Sequence, residues 1–144
     1  MRTMRRAHSL AWSVVATLLF APIAMADSLT DILGRWRDSD GESEIEIARC
    51  GAALCGTIVW LKQPRVDAAN PDPANRERSL LGLRVLSGFK PDPAAATFSG
   101  DGYNPEDGRS YKTTLELKSK TTLSIKGCVM GGLICDDDIW TRRP

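Results

Sequence analysis

Histidine is nearly missing from this chain: its 144 residues hold one, His8, close to the N-terminus. Beyond the leader described below there is no imidazole. That excludes a Ser-His-Asp triad, a histidine general base and the usual histidine ligands of zinc. An excess of charge of one sign is missing too. Lys and Arg number 19 against 18 Asp and Glu. Loss of the three leader arginines leaves 16 against 18, a net charge of about −2. Interspersed signs with a weak acidic balance give no footprint for DNA, RNA or an anionic membrane, so no nucleic acid partner is expected. Nor does the apolar run near the N-terminus reach the roughly 18 residues of a membrane span. Fixed-period repeats and low-complexity segments are also lacking.

What is present begins with a leader. Arg2, Arg5 and Arg6 form a basic start, Leu10 to Ile23 an apolar stretch, and Ala24-Met25-Ala26 a small-x-small cleavage site. A signal peptide over residues 1–26 is therefore expected, with a periplasmic or secreted mature chain beginning at Asp27. Arg5-Arg6 invites a twin-arginine reading, but Ala7-His8-Ser9 supply no hydrophobic motif residues, and ordinary export is preferred. No Cys follows the cleavage site, so no lipid anchor is expected there. Residues 27–144 make one domain, long enough to bury a core and without an integral membrane span.

All four cysteines lie in the exported part, an even count in an oxidising compartment. Cys50 and Cys55 bracket four residues, and Cys128 and Cys135 bracket six, each pair at the ends of apparent strands. Residues facing across an antiparallel hairpin lie within the Cα separation a disulfide accepts. The local pairs Cys50–Cys55 and Cys128–Cys135 are favoured over the two crossed connectivities. A four-thiolate zinc site would need tighter spacings and free thiolates, so no metal and no cofactor is expected.

The rest reads as short strands. Glu44-Ile45-Glu46-Ile47 alternates apolar and charged, as do Thr114 to Leu117 and Thr122 to Lys126, while Gly56 to Leu61 is nearly all apolar. Lys62 to Ser79 breaks the pattern with Pro64, Pro71 and Pro73. It reads as a long crossing in which Asp72 caps a short helical turn running through Arg76 to Arg78. Leu80 to Phe89 resumes strand character, and Ser28 to Leu33 suits one N-terminal helical turn capped by Ser28. About eight short strands with turn signals between them predict an all-β fold, a small antiparallel up-and-down barrel.

One turn is specific enough to fix a register. In Tyr103-Asn104-Pro105-Glu106-Asp107-Gly108-Arg109-Ser110-Tyr111, a four-residue loop from Pro105 to Gly108 makes Asn104 and Arg109 the closing pair. Tyr103 and Tyr111 then lie on opposite faces of the ribbon. A three-residue loop would set the tyrosines directly across from each other, but Pro105 is better placed inside the turn.

Taken in order, Gly34-Arg35-Trp36, Cys50 to Gly56, Asp67-Ala68-Ala69-Asn70-Pro71-Asp72, Leu81-Gly82-Leu83, Tyr103 to Gly108 and Trp140-Thr141-Arg142 make the chain resemble the bacterial exported proteins grouped as domain of unknown function 2147. The resemblance spans the mature chain and implies a lipocalin-like, calycin-type β-barrel with no established activity. Gly34 and Trp36 match the lipocalin entry motif. By that resemblance Trp36 plugs one barrel end and Arg142 stacks on it, a contact worth about 0.5 to 2 kcal/mol.

Chemistry is sparse. Asp67 to Asp72 offers carboxylates and an amide on one loop, but without the glycine and bidentate glutamate of a calcium loop it reads as Asx turns and a cap. Glu106 and Asp107 are adjacent on a turn and lack a means of raising one pKa, so they do not make a glycosidase pair. Asp101 and the triplet Asp136 to Asp138 read as solvated turns. Gly34, Trp36, Asn104, Pro105, Gly108, Arg109, Trp140 and Arg142 are expected to be structural, and Asn70, Arg76, Tyr103 and Tyr111 are the candidate ligand contacts. No catalytic residue is assigned, and the chain is not expected to be an enzyme. The preferred function is a periplasmic protein that binds a small apolar or amphipathic ligand in its barrel, in a cavity lined by Ile45, Ile47, Leu115 and Ile125. The alternative is a ligand-free module that contacts an envelope protein through the 62–79 loop and the 103–111 hairpin, its interior filled by tryptophans and leucines. A hydrolase is the third and weakest reading.

Overall fold

The computed structural model describes residues 30–144, so the expected signal peptide, its expected cleavage site and the expected Ser28 cap lie outside the described residues. Eight antiparallel strands close into one barrel in chain order. They are β1 (Gly34–Arg37), β2 (Ser43–Cys50), β3 (Ala53–Leu61), β4 (Arg84–Asp92), β5 (Thr97–Asn104), β6 (Arg109–Ser119), β7 (Thr122–Val129) and β8 (Ile134–Arg142). Two 3-10 turns, Pro73–Asn75 and Met130–Gly132, accompany them. A helical turn at residues 30–31 precedes β1. Closure comes from β1 pairing with β8, through Trp36 opposite Arg142 and Arg37 opposite Thr141.

Alternation puts one face of every strand inside. Ile45 and Ile47 of β2, Phe98 of β5, Leu115 of β6, and Leu123 and Ile125 of β7 are buried, while Glu46, between the two isoleucines, and Lys126, after Ile125, are exposed. Glycines on inward positions make room for large neighbours. A Cβ on Gly100 would lie 2.7 Å from the ring of Phe89, which is fully buried. The two disulfides join Cys50 to Cys55 and Cys128 to Cys135, and each staples one hairpin.

Three local expectations change. The first concerns β4, which begins at Arg84 rather than Leu80. Leu80 to Leu83 form a turn, with the Leu83 amide donating to the Leu80 carbonyl at 3.0 Å and Gly82 at φ +86°. The strand then continues through Pro91, opposite Phe98, to Asp92. The second concerns the acidic triplet. Asp136, Asp137 and Asp138 lie inside β8 and not in a turn, because the ladder with β7 runs unbroken from Thr122 to Val129. The third is the helical turn capped by Asp72, which stops at Asn75. Its cap is as expected, with Asp72 Oδ1 accepting from the Ala74 amide at 3.0 Å.

One end of the barrel is closed. Trp36 is wholly buried there, its indole N–H donating to the Ile32 carbonyl at 2.9 Å. The Arg142 guanidinium lies 4.2 Å from the Trp36 ring centroid and donates to the carbonyls of Leu33, Lys120 and Asp31. Gly34 allows this approach, since a Cβ there would stand 3.2 Å from Arg142 Nη1. Four loops meet at the opposite end: β1–β2, the long β3–β4 crossing, β5–β6 and β7–β8.

Candidate functional site

The open end contains a cavity of about 540 Å³. Its inner wall is apolar, made by Ile45, Ile58, Val85, Leu86, Ile125 and Trp140, and Leu80 of the long crossing reaches over it. Ile47 and Leu115, expected in that lining, instead pack in the solid part of the core at 1% and 0% exposure. The reason is Trp36: its indole plugs the closed end and the surrounding side chains pack solid, so only the half toward the open loops keeps free volume. Trp60 does not help fill the interior, because it faces outward beneath the Arg37 guanidinium, 4.7 Å from its ring centroid. Neither a fully hollow nor a fully solid barrel results.

The mouth is polar. Seven carboxylates line it, from Asp38, Asp40, Glu106, Asp107, Asp136, Asp137 and Asp138, against one guanidinium, Arg65. Register explains two of them: Asp138 faces Ile125 and Asp136 faces Gly127, so both share the inner face of the sheet, and Asp137, opposite Lys126, takes the outer one. Asp138 also accepts the Trp140 indole N–H at 2.7 Å and so holds that ring against the wall.

The 103–111 hairpin has the expected register, with Asn104 opposite Arg109, Tyr103 opposite Ser110 and Gly102 opposite Tyr111. Asn104 closes the turn twice: its carbonyl accepts the Gly108 amide at 2.9 Å and its side chain accepts the Glu106 amide at 3.0 Å. Pro105 sits inside the loop, and the Arg109 amide donates to Asp107 Oδ1 at 2.9 Å. Tyr111 points inward and its hydroxyl donates to Asp107 at the mouth. That bond, with some burial and the Asp107 charge, raises the Tyr111 pKa.

Tyr103, on the other face, joins a cluster centred on Asp67, which has no exposed surface. One Asp67 oxygen accepts the Tyr103 hydroxyl at 2.6 Å. The other accepts Asn70 Nδ2 at 2.7 Å and Arg78 Nε and Nη2 at 2.9 and 2.7 Å. Arg76 Nε donates to the Asn70 carbonyl at 2.9 Å. Gly108, at φ +70°, presses on the same segment so closely that a Cβ would fall on the Ala69 carbonyl. These contacts clasp the long crossing to the hairpin and set Leu80 over the cavity. Burial would raise the Asp67 pKa, but the bonds from Tyr103, Asn70 and Arg78 and the Arg78 charge outweigh it, and the net shift is downward. Burial and the same bond to Asp67 push Tyr103 upward.

Of the four candidate ligand contacts, the cavity lining includes Tyr103 and Tyr111 and leaves out Asn70 and Arg76, which serve the clasp. Trp140, expected to be structural, also forms part of the wall. Sequence reasoning missed Asp67 as the hub, although the spacing Asp67-x-x-Asn70 followed by Arg76 and Arg78 was its only local trace. It also missed the inward carboxylates of β8, because a run of three acids resembles a turn.

An eight-stranded closed barrel with a tryptophan plug and an arginine stacked on it at one end, and a cavity at the other, has a lipocalin-like architecture. A solved structure described as "Protein HP1028 from the human pathogen Helicobacter pylori belongs to the lipocalin family" superposes with a TM-score of 0.68 at 20% identity, covering 78% of this chain and 83% of that one. At that identity the likeness speaks for the fold alone. Residues 34–142 match the family described as uncharacterized protein conserved in bacteria, domain of unknown function 2147, and the chain belongs to it. No curated protein matches the sequence.

Proposed function

We propose that this protein is an exported, periplasmic carrier or sensor that binds one small apolar or amphipathic molecule in its barrel and performs no catalysis on it. The observation that carries this reading is the cavity of about 540 Å³ between an apolar wall and a polar mouth. That volume falls within the range of small-molecule sites. The lipocalin-like fold is compatible with it, as are two disulfides and a basic, then apolar, leader with export. Tyr111 and Trp140 are the aromatic contacts of choice, since both line the space. The polar cluster around Asp67 is engaged in fastening the long crossing to the hairpin.

The test is titration with the neutral fluorescent probe N-phenyl-1-naphthylamine, together with native mass spectrometry of protein taken from its own periplasm. Saturable one-to-one uptake of the probe, or a co-purified small molecule, is the expected result. Absence of both would remove the reading.

A second reading has its own observation. Met130, Leu133 and Ile134, at 69%, 83% and 58% exposure, form an apolar tip on the β7–β8 hairpin, held by the Cys128–Cys135 bridge. Such a tip suits contact with an envelope protein. Leu133→Ser with Ile134→Ser would then abolish the contact and leave probe binding unchanged.

A further inference from the structure

The cavity has two parts of opposite character, and together they restrict what fits. Its wall is apolar, and carboxylates far outnumber cations around its mouth. Asp38 and Asp40 come from the β1–β2 turn, Glu106 and Asp107 from the hairpin tip, and Asp136 and Asp138 from the inner face of β8. Three separate elements thus bring carboxylates to one opening. Arg65, the guanidinium in the lining, is 41% exposed and lies 3.7 Å from Glu106, so its charge is already matched. Some of the acids have structural work. Asp38 accepts the amides of Glu42 and Ser43, Asp107 takes the Tyr111 hydroxyl, and Asp138 takes the Trp140 indole. The side-chain carboxylates of Asp40 and Asp136 make no hydrogen bond or ion pair among the described residues and are exposed at the rim, Asp136 near the Tyr111 hydroxyl, so both can accept from an incoming group.

We propose that the ligand is an amphipathic cation, an alkyl or aryl amine whose apolar part lies against Ile58, Val85, Ile125 and Trp140 and whose ammonium faces Asp40 and Asp136. This rests on the reading that the barrel holds a small molecule and narrows it to one chemical class. A fatty acid or other anionic amphiphile would enter the same apolar space with its head among carboxylates, with one matched guanidinium to receive it. Electrostatic focusing in a cleft with low-dielectric walls strengthens that discrimination.

The experiment displaces bound N-phenyl-1-naphthylamine at pH 7 and low salt with decyltrimethylammonium or with decanoate, both below their micelle concentrations. The ammonium is expected to displace the probe at a concentration at least tenfold lower than decanoate, with the gap shrinking in 0.5 M salt as screening sets in. Asp40→Asn with Asp136→Asn should weaken the ammonium by roughly fivefold, at about two- to threefold for each unit charge some 7 Å away in water. The neutral probe should bind this variant as it binds the wild type. Neither carboxylate has a side-chain partner to lose, so the variant is expected to fold, and far-UV circular dichroism checks it. Equal or tighter binding of decanoate overturns the charge inference and leaves the cavity reading standing. So does an ammonium affinity unchanged in the variant. Failure of the neutral probe and both amphiphiles to bind overturns the cavity reading, and this inference with it.

Discussion

Replacing Asp67 by Asn tests the clasp with the smallest change in shape. The carboxylate is fully buried and accepts four hydrogen bonds from three side chains. An amide can satisfy at most part of that set, because its NH2 cannot accept from Asn70 or Arg78 and finds an acceptor only in the Tyr103 hydroxyl. Arg78 is 40% exposed and can turn to water, so its ion pair contributes little to the difference. The cost lies with Asn70, at 6% exposure and with its Nδ2 keeping only the 3.1 Å bond to the Tyr103 hydroxyl, and with half-buried Tyr103, neither of which can rehydrate fully. At about 1 to 3 kcal/mol for each buried group left without its partner, the loss comes to about 3 kcal/mol. For a domain of this size that lowers Tm by about 12 °C. Thermal and urea unfolding under non-reducing conditions measure it, and the urea m-value should stay constant. Tyr103→Phe alone should lose about 1.5 kcal/mol, and adding it to Asp67→Asn should lose little more, because both remove the same bond. The acid limb supplies a second arm. A carboxylate depressed in the folded state stabilises above its unfolded pKa, and that contribution disappears as pH falls through the folded value. The gap between wild type and Asp67→Asn should therefore be full at pH 7 and narrow below about pH 4. A loss under about 1 kcal/mol, or a gap independent of pH, would refute the view that this cluster is the fastening of the long crossing.

Two further outcomes follow from the geometry. Gly108→Ala and Gly41→Ala start from the same backbone angle, φ +70° and +71°, but only at Gly108 would the new methyl meet a neighbour. Both should lose about 1 kcal/mol to backbone strain, and Gly108→Ala about 2 kcal/mol more, read as the difference in Tm between the two variants. At the closed end, Arg142→Met should lose about 2 kcal/mol in urea unfolding. Arg142→Lys should recover little of it, since a point charge cannot both cover the Trp36 ring and reach the three carbonyls. Full rescue by Lys would show that charge alone matters there.

The strands that could be read in the sequence were those whose cause is local. Alternation at Ile45 and Ile47, the Asn-Pro and Gly corners of the 103–111 turn, and the short Cys spacings each act within a few residues, and each appears in the barrel as expected. Leu80 read as strand because apolar character alone does not distinguish a residue in a ladder from one that dips into a cavity from a turn. Asp67 stayed hidden for a related reason. Its burial depends on Tyr103, which is 36 positions away, and no spacing rule connects them. The acids of β8 were misread because their place in a strand is set by the ladder with β7 rather than by their own preference for turns.

The seam between β1 and β8 has a consequence for how the barrel is made and undone. Every other ladder joins strands adjacent in the chain, so seven hairpin-like pairings can assemble one after another from nearby residues. This one pairs only two residue positions and joins segments as far apart as Leu33 and Arg142, separated by 109 positions. It bears the largest loop-closure entropy and should form last. The first strand enters and the last strand leaves at the same pole, side by side and antiparallel, so tension applied to the two termini opens this seam like a zip, one pair at a time. Trp36 and Arg142 sit just behind its first tooth, the bond from the Arg143 amide to the Arg35 carbonyl. A protein of this design is mechanically weakest where its plug is most tightly packed, and a tether at its N-terminus would load that point before any other.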